Sequence, residues 1–271
     1  MSSEANLDAY LRRINYAGSI APVADTLNLL HQLHPAAIPF ENLDPMMEKP
    51  VRLQLSDLEQ KLIVEKRGGY CFEQNLLFQA MLESMDFKVT PLSAGVVYRH
   101  EPDFVPDRDH MALLVEADGV EYLADVGFGG KVMTAPLRLR AGIEQETPNE
   151  RYRLTGGEPE WQLDCEIAGV WTSLYRFDLT PRSMDEYVAM NDIAMADFRD
   201  DLRVARSEPG LRYGLANARL NTYRGNEIET RMLTNLLEIR DVLTNVFGIQ
   251  LPQTDRLDPA LEKALRPAAT A

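Results

Sequence analysis

The sequence predicts an α+β fold, with helices gathered in the first third, short strands in the middle and a mixture at the end. Three observations carry that expectation. Apolar residues recur at helical spacing from Leu7 to Met85. From Phe87 onward they come in short alternating runs separated by turn residues. After Leu211 both patterns occur. Periods near 3.6 and 2 distinguish helix from strand.

Taken in order, residues 7–14 form a first helix and 24–33 a second, which stops before Pro35 because proline lacks a backbone donor and clashes with the preceding turn. Ser56 and Glu59 have the spacing of a capping box, opening a helix through Leu58, Leu62 and Val64. Gly68 and Gly69 end it. The next helix begins at or just after Cys71 and carries Leu76, Leu77, Ala80, Met81 and Met85 on one stripe. Strands are expected over 87–98, 111–115 and 120–126, the last two joined by the hairpin signal Asp118-Gly119. Further short strands fall at 150–154, 161–167 and 171–177. In the last third, 211–217 and 219–223 read as strands and 234–247 as a helix ended by Gly248. Residues 252–271 read as a loosely attached tail with one helical turn near Ala260–Leu265.

The 271 residues carry a net charge of −14. Such a chain has no basic excess to displace counterions from nucleic acid, and any anionic ligand needs local cations. Two cysteines in unlike contexts make no disulfide framework and point to a reducing compartment. With no basic start and no apolar leader, the expected location is cytoplasmic. No apolar run approaches the ~20 residues that span a membrane.

Chemistry concentrates in Arg67-Gly68-Gly69-Tyr70-Cys71-Phe72-Glu73-Gln74-Asn75. A thiol at a helix N-terminus meets unpaired N–H groups and the positive end of the dipole, both of which favour the nucleophilic thiolate. Cys165 sits in an alternating run and reads as core packing. A cysteine nucleophile needs a base, and the base an orienting group. Of the four histidines, His110 opens the strand before Asp118-Gly119 and Asp125 lies near the end of the strand after it. A two-residue turn would set Ala112 opposite Asp125 and make His110 its diagonal neighbour on the same face. A three-residue loop would place the two on opposite faces. His31 and His34 read as a solvated helix end, since no cysteine or carboxylate completes a metal site beside them. Zinc on Cys71, His110 and Asp125 is conceivable by ligand type, but a triad explains the same residues, and no metal is expected. The exit Gly127-Phe128-Gly129-Gly130 lets backbone approach a ligand closely and lacks the Lys-Ser/Thr ending of a P-loop.

These motifs carry a resemblance. RGGYCFEQN, the segment Ile38-Pro39-Phe40-Glu41-Asn42-Leu43-Asp44, the His110 strand and the run Ala124-Asp125-Val126-Gly127-Phe128-Gly129-Gly130, in that order, resemble the arylamine N-acetyltransferases. The resemblance covers nearly the whole chain. It implies an N-terminal helical bundle (1–86), a central β-barrel (87–185), an interdomain segment (186–206) and a C-terminal α/β lid with tail (207–271), around a papain- and transglutaminase-like core. It implies the triad Cys71, His110 and Asp125, with Phe40, Tyr70, Val97, Tyr98, Gly127, Phe128, Gly129 and Phe198 against substrate or CoA. Glu41 and Arg67 would be structural support as an ion pair. Acetyl-CoA would be a co-substrate, with no permanently bound cofactor, and an arylamine, arylhydrazine or N-hydroxyarylamine the acceptor, in a monomer or homodimer. Lys131 and the arginines after Phe198 are candidates for the donor's pyrophosphate. One departure stands out: 191–197 is shorter than the family's usual stretch here and lacks its hydroxyl residues, which bears on donor and acceptor detail. The alternatives are an amide synthase taking an acyl chain from a carrier protein, and a cysteine peptidase or transglutaminase-like enzyme.

Overall fold

A computed structural model describes residues 5–266 apart from 102 and 226. The amphipathic first third folds into α1 (Leu7–Arg13), α2 (Ala24–Ala37), the short β1 (Phe40–Glu41), α3 (Leu43–Met46), α4 (Leu55–Leu58) and α5 (Cys71–Glu83). Helix α4 winds on as a π-type segment over Glu59–Val64. The alternating middle gives β2 (Lys88–Val96), β3 (His110–Ala117), β4 (Val120–Ala124), β5 (Leu137–Arg138), β6 (Glu144–Glu146), β7 (Arg151–Gly157), β8 (Glu160–Ile167) and β9 (Val170–Phe177). There follow α6 (Met184–Asp197), β10 (Arg203–Glu208), β11 (Leu211–Ala216), β12 (Arg219–Arg224), β13 (Glu227–Met232), α7 (Leu236–Asp241) and α8 (Leu257–Ala264).

Eight antiparallel strands in the order β5-β4-β3-β2-β9-β8-β7-β6 curl into a nearly closed barrel. Gln145 of β6 clasps the far edge: its Nε2 donates to the Arg138 carbonyl at 3.0 Å and its Oε1 accepts the Arg138 N–H at 2.8 Å. A second sheet runs β1-β10-β11-β12-β13. Strand β1 joins it from the helical part of the chain, and Asn42 fastens the junction. The Asn42 amide donates to the carbonyls of Phe198 and Asp201, and its oxygen accepts the Arg203 N–H.

The hairpin between β3 and β4 is tight. Ala117 pairs with Val120, and Asp118 and Gly119 both take positive φ, as a two-residue turn matching strand twist requires. The Asp118 carboxylate also accepts the Ala24 N–H at 2.8 Å, satisfying an unpaired donor at the start of α2.

Several expectations are corrected. Helix α2 does not stop before Pro35 but runs to Ala37. Proline removes only the donor to the residue-31 carbonyl, and the Ile38 N–H bonding to the His34 carbonyl closes the single turn that remains. Ser56 is no cap, because α4 already starts at Leu55, and Glu59 instead accepts the Asn6 N–H. Residues 186–206 hold most of α6 and the start of β10. Of the expected tail, residues 257–264 form a docked helix. Leu257, Ala260, Leu261 and Ala264 recur at i, i+3, i+4 and i+7 and are buried in the second core with Ile239 and Leu243. Burying each leucine contributes about 1.5–3 kcal/mol. Residues 267–271 lie outside the described part.

Beneath the N-terminus of α5 lies a buried ionic cluster. Arg67 Nε donates to Glu41 Oε1 at 2.8 Å and its Nη2 reaches Asp44 at 3.2 Å. Lys61 Nζ lies 2.7 Å from both Asp44 and Glu73. Three carboxylates share two cations. Burial opposes ionisation of Asp44, but Lys61 and Arg67 hold it down at about 2. Burial pushes Glu73 up to about 7 against the pull of Lys61, so Glu73 is the carboxylate left short of compensation. Because Arg67 is 2% and Glu41 0% exposed, Arg67→Ala is expected to strand a buried charge and destabilise the fold by about 3–5 kcal/mol. A urea-denaturation midpoint close to wild type would contradict that.

Candidate active site

Helix α5 is buried on every side over its first two turns, Cys71 to Phe78. Its entry is held by Glu73, which accepts the Tyr70 N–H at 3.0 Å while its other oxygen binds Lys61. Cys71 is therefore the first residue of the helix, 4% exposed, with its sulfur 3.9 Å from the Asp109 carbonyl.

The hairpin register brings the other two candidates together. Leu113 pairs with Ala124, so Ala112 falls opposite Asp125 and His110 lies on the same face. His110 Nε2 is 2.7 Å from Asp125 Oδ2. That bond leaves Nδ1 for the Cys71 sulfur, with which the ring also interacts. Burial opposes a charged His110, but the Asp125 carboxylate, its hydrogen bond and Cys71 outweigh burial and raise the ring to about 10. Asp125 is wholly buried, which alone would push its pKa up. The charge of His110 and hydrogen bonds from His110, Asn75 and the Gly127 N–H hold it below the ordinary range.

A group whose pKa rises on folding contributes stability in full below its unfolded value near 6.5 and loses it as pH climbs through the folded value. Comparing wild type with His110→Gln, the stability difference is expected to shrink between pH 6.5 and about 10. A difference independent of pH across that window would mean that His110 is neutral in the folded protein.

Three groups to which sequence reasoning gave no part in the site hold this arrangement. Asn75, one turn along α5 from Cys71, donates to the Met111 carbonyl at 2.7 Å and to Asp125 Oδ1 at 2.9 Å, and accepts the Val126 N–H at 3.0 Å. Gln74 donates to the carbonyls of Pro39 and Gly69 and meets His34 Nε2 at 2.7 Å. His31 accepts the Asp125 N–H at 3.0 Å. Neither His31 nor His34 is solvated; both are fully buried, and burial lowers them to about 4 and about 3. They stay neutral and serve as hydrogen-bonding core residues. The one sequence signal for these contacts is three consecutive polar residues, 73–75, at the start of a helix whose other polar residues, Gln79 and Glu83, come only near its end.

Cys71 and His110 open onto a cavity of about 820 Å³ between the barrel, α6 and the second sheet. Of the residues expected against substrate, Phe40, Tyr98, Gly127, Phe128, Gly129 and Phe198 line it. Two do not. The Tyr70 ring packs behind Phe198, and its hydroxyl donates to Asn191. Val97 is buried, its N–H bound to the Leu174 carbonyl. Lys131 and Arg203 line the cavity, as does the unforeseen Arg99, whereas Arg206 is spent on the carbonyls of Ala36 and Val246. Gly127 is needed for contact: a Cβ there would lie 2.8 Å from the Cys71 Cα. Residues 191–197 complete α6, placing Ala194 and Asp197 on the wall and Asn191 under Tyr70. Among the described residues no group of side chains could hold a metal ion, and no helix is long and apolar enough to cross a membrane.

Residues 24–256 match the N-acetyltransferase family model. An arylamine N-acetyltransferase of Escherichia coli is 38% identical over 249 residues, covering 90% of this chain and 88% of that protein. A single-residue variant of the Mycobacterium smegmatis N-arylamine acetyltransferase superposes with a TM-score of 0.93 at 34% identity, over 97% of this chain and all of that one. The Mycobacterium marinum enzyme solved in complex with CoA superposes at 0.92, also at 34% identity, over 96% and 99% of the two chains.

Proposed function

We infer the reaction from a premise now in hand: this chain belongs to the arylamine N-acetyltransferase family. It transfers an acetyl group from acetyl-CoA, its co-substrate, to the nitrogen of an arylamine-type acceptor. The proposed route has two half-reactions at Cys71. The Cys71 thiolate attacks the thioester carbonyl. The oxyanion is met by backbone donors, with the Cys71 N–H, which has no intrahelical acceptor at this position, the first candidate. The C–S bond to CoA breaks, the departing thiolate takes a proton from His110, and acetyl-Cys71 remains. The acceptor nitrogen then attacks the new thioester, its proton passes to His110, and the Cys71 thiolate is released. Asp125 fixes the imidazole by its Nε2 bond and supports its positive charge. Arylamines suit the second step because they are uncharged, lone-pair-bearing nucleophiles at neutral pH.

The observation that carries this reading is His110 bonded through Nε2 to a buried carboxylate while it shares the cavity with the Cys71 sulfur. Lys131 and Arg203 on the wall supply the local positive charge that a pyrophosphate needs against the net −14. The direct test is intact mass after mixing protein with acetyl-CoA and no acceptor. One acetyl group should be gained on Cys71 and lost again when an arylamine is added. Acetyl transfer proceeding with no such adduct would favour direct attack of the amine on acetyl-CoA.

A further inference from the structure

The outer edge of the second sheet has the features of a self-pairing strand. Strand β13 is the last in the order β1-β10-β11-β12-β13, and all six of its residues are exposed. Its pairing with β12 decides which backbone groups are free. The Leu233 N–H bonds to the Ala218 carbonyl, and bonded and non-bonded pairs alternate along an antiparallel ladder. Residues 231, 229 and 227 therefore point their backbone groups toward β12. Ile228, Thr230 and Met232 point theirs outward, leaving three N–H and three C=O groups without a ladder partner among the described residues.

We propose that this edge is a homodimer interface, with β13 pairing antiparallel to β13 of a second copy about a twofold axis at Thr230. The register follows from charge. A pairing that matches outward residues to outward residues can be centred on Glu229, Thr230 or Arg231. Centring on Glu229 sets Glu229 against its own copy between two Glu227–Arg231 pairs, and centring on Arg231 sets Arg231 against its own with no opposite-charge pair. Centring on Thr230 sets Glu229 against Arg231 of the partner subunit twice, in the non-bonded pairs where side chains lie closest. It also sets Ile228, 62% exposed, against Met232 of the partner subunit, 59% exposed in its own chain. Charged side chains on an edge normally prevent strand addition. Here Glu229 and Arg231 carry opposite signs on either side of Thr230, so the Thr230 register alone pairs charges with no like pair. The contacts they make within the chain, Arg224 to Glu229 and Arg231 to Glu238, are both 3.7 Å long, the first exposed and the second on a half-buried Glu238. Such pairs contribute little and can be exchanged.

The even-numbered residues of β13 share a face with their cross-strand neighbours Asn221 and Tyr223, which line the cavity. Pairing would thus continue the cavity-side face of the sheet into the second subunit.

Sedimentation velocity tests this directly. A single strand pair buries a small area, so wild type should dimerise reversibly with a Kd of roughly 10–100 μM. Glu229→Arg alone and Arg231→Glu alone each put like charges opposite one another and should raise that Kd at least about tenfold. Mixing the two variants restores both opposite-charge pairs across the twofold and should recover the dimer, which a misfolded variant could not do. Wild type remaining a monomer at about 1 mM, ten times the upper end of that Kd range, would overturn the proposal. So would a dimer that neither substitution weakens, or single variants that mixing does not rescue.

Discussion

Cys71→Ala should lower acetyl transfer to an arylamine by about 10⁴-fold or more, as removal of a covalent nucleophile does elsewhere, while the protein keeps its fold and its affinity for CoA. The side chain is small and already bounded by the Asp109 carbonyl and Gly127, so its loss leaves little void. Cys71→Ser should be nearly as inactive. A hydroxyl is far less acidic than a thiol, and His110, engaged by Asp125 as a cation, is a poor base for it. The measurement is steady-state transfer together with the mass of the protein after exposure to acetyl-CoA. Retention of more than about a hundredth of the wild-type rate by the alanine variant would exclude a covalent route, since the loss of such a nucleophile ordinarily costs far more. Cys165 cannot substitute: it is buried in the barrel core, where burial pushes its thiol up to about 11.

Asp125→Asn should have the second largest effect, and hydrogen-bond directions explain why. Oδ1 of Asp125 accepts from Asn75 and from the Gly127 N–H. An amide NH₂ in that position would face two donors, so the amide oxygen must take it. The NH₂ is then turned to His110 Nε2, which must become an acceptor. The ring proton moves to Nδ1, the nitrogen needed to receive a proton from the sulfur or the acceptor amine. The same change in a serine triad reduces turnover by about 10⁴-fold, and a loss of at least about 10³-fold is expected here. CoA binding should be little altered, because Asp125 does not line the cavity. A loss below tenfold would reduce Asp125 to a structural role.

Much of this was readable from the chain because it depends on local rules. The two-residue turn at Asp118-Gly119 set the register of β3 and β4 and with it the His110–Asp125 pair. The glycines before Cys71 marked a helix start. The docked α8 was also readable, since Leu257, Ala260, Leu261 and Ala264 carry a full helical period, yet two prolines and a terminal position masked it. Other features depend on partners distant in sequence. His31 is unremarkable until Asp125, 94 residues later, brings its N–H to it. Asn75 becomes a bridge only when β3 and the segment after β4 arrive. Helix α6 places Met184, Val188 and Ile193 toward solvent and Tyr187, Asn191 and Ala194 inward, so its apolar pattern has no single face by which to be recognised. Pro35 shows the converse case: a strong local signal overridden because only one turn had to follow it.

The three hydrogen bonds of Asn75 have a consequence for the order of folding. They tie the nucleophile's helix to the barrel at Met111, Asp125 and Val126, across 36 to 51 residues of chain, and closing such long loops is slow. The helical segment and the hairpin can each form from near neighbours, but neither alone brings the thiol to the imidazole. Recovery of enzymatic activity from denaturant should therefore lag behind recovery of secondary structure and keep pace with the docking of α5, so that turnover serves as a kinetic reporter of that last step.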